Sequence, residues 1–421
     1  MTETVEPHSN KDKELYITPR TKWIVYNSMV LFGLASLLPW NMVITATGYF
    51  AAKFSETNST TIETGFPSYF QIGGIGSNVI FSLSSIVLLK YVPIKPVLVT
   101  CNTVALIIFL VMTIMSKQIT VTWPMSFFVI SNVIFCLACG ASAAYISGMM
   151  AVASMLTPSA VQGFFLGQGT AGLFATVLSI ITLSIPGSDP VQAGFYYFLI
   201  ASLSLMLSLV VYLLFNRLSF VRNNTVRKEE ETEGEIGDAA GELSAFQVFM
   251  KIWKFCATSL ITLLITLACF PAALSALRST RTDTTSPWST TYFLPVMTFL
   301  TFNIGDVLGR VTSSLLPYPS KRLILPLAIS RVIFIPLIYM CNLQPRSINV
   351  WFKSDVWPAV FNFLMSWSNG HILSLSAAYG PQEVDTTSAK SLAGTYAAFS
   401  CALGLVIGSA LVFPLLNILK L

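Results

Sequence analysis

Residues 301–314, "TFNIGDVLGRVTSS", lie inside a long apolar run and yet carry both Asp306 and Arg310. How that run is read decides the fold. Of 421 residues, 54% are hydrophobic and only 10% are charged, against roughly 25% charged in an ordinary soluble domain. Such a chain cannot cover itself with polar surface. Its apolar residues also come in blocks of about 20 or more, the length that crosses a hydrocarbon core of about 30 Å. The chain therefore reads as an all-α polytopic membrane protein, with the lipid bilayer as its surroundings.

Working outward, the polar tail 1–22 has neither the apolar core nor the cleavage site of a signal peptide. Six spans follow within 23–216, from the run containing "LLPWNMVITATGYF" to "AGFYYFLIASLSLMLSLVVYLLF". Residues 217–250 hold the long polar insert, rich in Glu, Lys and Gly, which is expected to be a solvated linker rather than a domain. Five more spans fill 251–421. The total is about eleven, arranged six plus five.

Lys and Arg beside the spans set the orientation. Lys11, Lys13, Arg20, Lys22, Lys90, Lys95, Arg217, Arg222, Arg227, Lys228, Lys251, Lys254, Lys321, Arg322 and Lys390 gather on the side of the amino terminus. Fewer lie on the other side. The expected topology has a cytoplasmic amino terminus and an extracellular carboxyl terminus. It places Asn58, in a glycosylation sequon of the first loop, outside. The net charge of +5 reflects these flanks, so no nucleic-acid partner is expected, and no obligate protein partner either.

A charge at the bilayer centre costs about 2.5 to 3.5 kcal/mol on insertion scales and faces a bundle interior or a watery cavity. Asp306 and Arg310 are four apart and Asn303 precedes Asp306 by three, which stacks amide, carboxylate and guanidinium on one helix face. That stripe suits a ligand with adjacent hydroxyls, because a carboxylate accepts their protons and a guanidinium donates to their oxygens. An ion pair that merely locks two helices is the competing reading. Arg331, inside the ninth span, is assigned to structure as an inter-bundle contact. In "LLPWN", Pro39 interrupts the helix ladder, Trp40 offers a π face and Asn41 an amide. An aromatic wall for a heterocyclic base and simple packing are both open there.

The remaining signals are structural. "GQGTAG" and similar runs of small residues are packing seams, and His371 has no partner at metal-ligand spacing and reads as a satisfied interior histidine. Cys136 and Cys139 lie in apolar surroundings that do not favour thiolate chemistry. No residue set supports catalysis, a metal or a cofactor.

The runs "LLPWN", "GQGTAG", "TFNIGDVLGR", "RVIFIPLIYMCN" and "SNGHILSL", in this order, resemble the equilibrative nucleoside transporters across nearly the whole chain. The resemblance implies a major-facilitator-like fold of two bundles with one helix fewer, and facilitated diffusion of nucleosides, sometimes nucleobases, across a membrane by alternating access; the amino-terminal tail has no strong acidic dileucine signal, so the plasma membrane is expected over the lysosome. It implies that Asp306 and Arg310, with Asn303 beside them, contact the ribose, and that Leu37, Trp40, Asn41 and Leu405 line the same cavity. Ile75 and Asn78 in the second span are further candidates. The chain departs from the family in the fourth span. Ile146 stands where a base-contacting glutamine is expected, leaving base preference open, and Ser142 replaces a glycine that accompanies inhibitor sensitivity, which implies weak sensitivity to thio-purine inhibitors. An organic-cation or monoamine carrier, and a non-transporting receptor or scaffold, are the alternatives.

Overall fold

The computed structural model describes residues 18–55, 60–118, 122–185, 187, 189–237, 244–280 and 286–420. Asn58 lies outside them. Helices account for the architecture; an isolated bridge pairs Leu277 with Leu343. The first six spans are Pro19–Thr45, Thr60–Tyr91, Ile94–Ser116, Pro124–Leu156, Pro158–Ser184 and Pro190–Phe215. Four of them begin with proline, whose fixed φ suits a first helical turn where no intrahelical N–H bond is lost. Thr157 Oγ1 caps the fifth by accepting from Ala160 N at 3.1 Å, and Asp189 caps the sixth through Val191 N at 2.9 Å.

The seventh span, Ala245–Cys269, starts from a capping box formed by Ser244 and Gln247. Two π-helical segments, Trp288–Tyr292 and Pro295–Leu300, run into the helix Thr301–Leu315 to make the eighth. The ninth is Ile324–Tyr339, tightened into a 3₁₀ turn at Arg331–Ile333. Val356–Tyr379 and Thr387–Lys420 complete the set. Eight described helices are long and apolar enough to cross a membrane. The eighth, ninth and tenth segments fall short of that mark, being short or interrupted by polar residues; the eighth and ninth carry Asp306, Arg310 and Arg331, and the tenth His371.

Spans one to six and seven to eleven form the two bundles, and the packing of their cores is uneven along the membrane normal. Near the linker, one apolar core is shared by both: Met29, Phe32, Met150 and Phe164 from the first bundle pack with Leu373, Ala377, Ala397 and Ala398 from the second. At the far end each bundle keeps a core of its own, one around Phe50, Phe54 and Phe198, the other around Leu274, Phe293 and Met365. The far halves still touch through polar groups. Tyr292 donates to Ser184 Oγ at 3.3 Å, and Asn303 Nδ2 to Thr176 Oγ1 at 2.9 Å.

The insert was expected to be solvated chain. It contains a helix, Ser219–Gly237, docked against both bundles. Lys228 is buried and its Nζ donates to the Leu89 carbonyl at the end of the second span, at 2.9 Å. Glu231 Oε2 accepts from Ser388 N, in the first turn of the eleventh, at 2.7 Å.

Candidate functional site

In the eighth span the 3.6-residue period separates two faces. Ile304, Leu308 and Leu315 point outward, whereas Asp306 and Arg310 are only 4% and 6% exposed. Arg310 Nε donates to Asp306 Oδ2 at 2.7 Å. Its Nη1 crosses to the fifth span and donates to the Phe165 carbonyl at 2.7 Å, with the guanidinium carbon 5.6 Å from that residue's ring centre. The other carboxylate oxygen, Oδ1, accepts from Asn369 Nδ2 of the tenth span at 2.7 Å. Both oxygens of Asp306 are thus held by charge-assisted or amide donors, each contact of a kind worth about 1.5 to 3 kcal/mol net. Together they offset the burial of the two charges.

The fifth span reaches this polar face because it is built of glycine there. A Cβ on Gly169 would lie 2.7 Å from Arg310 Cδ and 2.8 Å from its Nε, and one on Gly172 would collide with Asn303 Oδ1. The "GQGTAG" seam is therefore what lets an intramembrane ion pair sit flush against the opposite bundle. Asn303 itself is half-buried and bonds both Thr176 and the Phe299 carbonyl, at 2.9 Å each.

Arg331 requires a correction. It was expected to bridge the bundles, but every acceptor it meets belongs to the second bundle. Nε donates to Ser368 Oγ at 3.0 Å, Nη1 to the Thr262 carbonyl at 2.7 Å, and Nη2 to Thr266 Oγ1 at 2.8 Å and the Met365 carbonyl at 3.0 Å. Residue 331 opens a 3₁₀ turn, and its side chain lies between the seventh and tenth spans. His371 is partnered as expected: Nε2 is 2.6 Å from the Tyr318 carbonyl and Nδ1 2.9 Å from Thr312 Oγ1.

The other candidates gather elsewhere. Trp40 stacks on Phe135 at 5.4 Å between ring centres, and a Cβ on Gly74 would lie 2.9 Å from its ring, so the first, second and fourth spans meet at this indole. Asn41 Nδ2 donates to the Leu37 carbonyl at 2.9 Å. Leu37, Ile75, Asn78, Ser142, Ile146 and Leu405 are all half-buried. Ile146 and Leu405, from opposite bundles, pack against the same shared core. Ser147, next to Ile146, is 3.3 Å from Ser82 of the second span. Among the described residues no hydrogen bond joins this group to Asp306 and Arg310. The sequence reading missed Asn369 and Thr266, although polar residues at 362, 366 and 369 and at 262 and 266 recur at helical spacing. The Phe165 carbonyl, a backbone group, leaves no mark in a sequence.

Two helical bundles closed at one end around a charged, hydrogen-bonded centre define a membrane carrier of the major-facilitator type. Solved structures agree at the level of the fold: a proton:xylose symporter of that superfamily superposes with a TM-score of 0.62 at 10% identity, covering 94% of this chain and 88% of the other. The E. coli fucose:proton symporter gives 0.59 at 10% identity over 95% and 92%. Residues 132–416 match the profile of the nucleoside transporter family, and the chain belongs to that family. Among curated relatives, equilibrative nucleoside transporter 1 of Homo sapiens is 29% identical across 93% of this chain and 96% of its own length. Equilibrative nucleoside transporter 3 of Rattus norvegicus is 27% identical across 90% and 86%.

Proposed function

We propose that the protein is a facilitative carrier that moves nucleosides down their gradient across the plasma membrane. The carboxylate of Asp306 accepts protons from ribose hydroxyls and the Arg310 guanidinium donates to their oxygens. Trp40, Asn41 and Leu37, with Ile75, Asn78, Ser142, Ile146 and Leu405, form the side toward the base. The amino terminus and the linker at 217–250 are cytoplasmic, Asn58 and the carboxyl terminus extracellular. On this reading, bundles 23–216 and 251–421 rock against each other, and the shared core near the linker is the closed cytoplasmic gate.

The observation that carries this reading is the buried Asp306–Arg310 pair at the seam between bundles, with Arg310 also bonded across that seam to Phe165. An ion pair serving only the second bundle has no need of that crossing bond. Uptake of a nucleoside panel, with an organic cation as competitor, tests it in cells lacking endogenous transport. Asp306→Ala is expected to abolish saturable uptake while surface protein is retained. Normal uptake in that variant ends the ribose role.

A further inference from the structure

On the reading that Asp306 grips the ribose, the second bundle contains more machinery than the pair itself. We propose that Asn369 and Thr266 are positioning residues for that grip, connecting Arg331 to the Oδ1 oxygen of Asp306 and fixing how the carboxylate faces its ligand.

Arg331 is 3% exposed, and among the described residues no carboxylate lies within ion-pair distance of it. Its nearest route to a counter-charge is a chain of hydrogen bonds. Nη2 donates to Thr266 Oγ1 at 2.8 Å, Thr266 Oγ1 lies 2.9 Å from Asn369 Oδ1, and Asn369 Nδ2 donates to Asp306 Oδ1 at 2.7 Å. The chemistry sets the direction of every bond. A guanidinium only donates and a carboxylate only accepts, so the Asn369 amide must turn its nitrogen to Asp306 and its oxygen to Thr266. The reverse orientation would point two oxygens at each other. Thr266 then has one proton and two acceptors, Asn369 Oδ1 and the Thr262 carbonyl at 2.8 Å. Donation to Asn369 completes a run from cation to anion in which each bond polarises the next.

Its other bonds, to the Thr262 and Met365 carbonyls and the Ser368 hydroxyl, clamp Arg331 to the seventh and tenth spans. One end of the relay is therefore rigid, and the Asp306 carboxylate is held from behind at Oδ1 and from the side at Oδ2. All members of the relay lie in one bundle, so Asp306 stays held when the bundles separate and Arg310 gives up its bond to Phe165.

Initial uptake of uridine and of 2′,3′-dideoxyuridine, normalised to surface protein, tests this. The second substrate lacks the hydroxyls that Asp306 receives. Thr266→Val and Asn369→Leu are expected to raise the uridine KM about tenfold, the scale of one lost charge-assisted bond, while the dideoxy KM stays within about twofold. Thr266→Ser, which keeps the hydroxyl, is expected to restore the wild-type ratio. Equal weakening of both substrates, or an unchanged ratio, in Thr266→Val overturns the positioning role, as does failure of Thr266→Ser to rescue. If Asn369→Leu does not reach the surface, the Thr266 pair decides alone. A wild-type protein that does not discriminate between the two substrates removes the ribose reading instead, so the two failures are separable.

Discussion

At the scale of single residues, the site rests on atoms that are missing as much as on those present. Gly169 and Gly172 supply no side chain, and that lets Arg310 and Asn303 come up against the fifth span. Gly169→Ala places a methyl 2.7 Å from Arg310 Cδ, with helix backbone behind it and an engaged guanidinium in front. Its expected cost is a loss of about tenfold in maximal uptake, the factor that corresponds to about 1.4 kcal/mol, with surface protein unchanged; uptake at wild-type rates would show that the seam has slack. Asp306, Arg310 and Asn303 were legible in the sequence because charge in an apolar run is rare and helical spacing is simple. Their partners were not. Asn369 and Thr266 are ordinary polar residues until a second helix is placed beside the first, and Arg331 was assigned to the wrong neighbours because its acceptors, two of them backbone carbonyls, depend on how the seventh and tenth spans pack around it.

Among the elements, the helix Ser219–Gly237 is the largest departure from expectation. Low aromatic content and dense charge read as solvated chain, but Lys228 donates to a last-turn carbonyl of the second span and Glu231 accepts from a first-turn amide of the eleventh. Helix ends always carry such orphan groups, and a charged helix nearby can satisfy them at both bundles at once. Glu231→Ala removes a carboxylate cap of a kind worth about 1 kcal/mol, so the population open at the linker end is expected to rise about fivefold. Labelling of a cysteine introduced at Ser154, on the face beneath Gly394, would report it; unchanged labelling would mean the helix adheres without restraining the gate. The eighth, ninth and tenth spans teach a related lesson. Hydropathy finds the spans that hold the protein in lipid and passes over the ones that hold Asp306, Arg310, Arg331 and Asn369.

The whole molecule is joined unevenly, with one apolar core across both bundles near the linker and two separate cores at the far end. A carrier that exposes its centre to alternate sides must part that shared core once in each cycle. Gln162 Nε2 already reaches the Ser313 carbonyl across it at 3.2 Å. Oxidation of the double variant Gln162→Cys with Ser313→Cys is expected to stop uptake, and reduction to restore it, whereas either single variant stays insensitive; transport persisting in the cross-linked protein would exclude rocking about this end. The six-plus-five plan was readable from span lengths and loop charges. Which end is closed was not, because that depends on small residues such as Ala377 and Ala397 fitting against Met150 and Phe164, a matter of shape.

The relay from Arg331 to Asp306 lies wholly in the second bundle, while the aromatic and aliphatic candidates around Trp40 and Ile146, Leu405 of the eleventh span excepted, lie in the first. Nucleosides have one invariant part and one variable part. A protein divided this way keeps the recognition of the invariant part under tight mutual constraint, since each member of the relay fixes the next, and leaves the half that meets the variable part free to drift. On the proposed assignment of sugar and base, a substitution such as Ile146 for an amide alters which bases are accepted and leaves the sugar's grip in place, so new substrate ranges are reached by changing one half of the carrier.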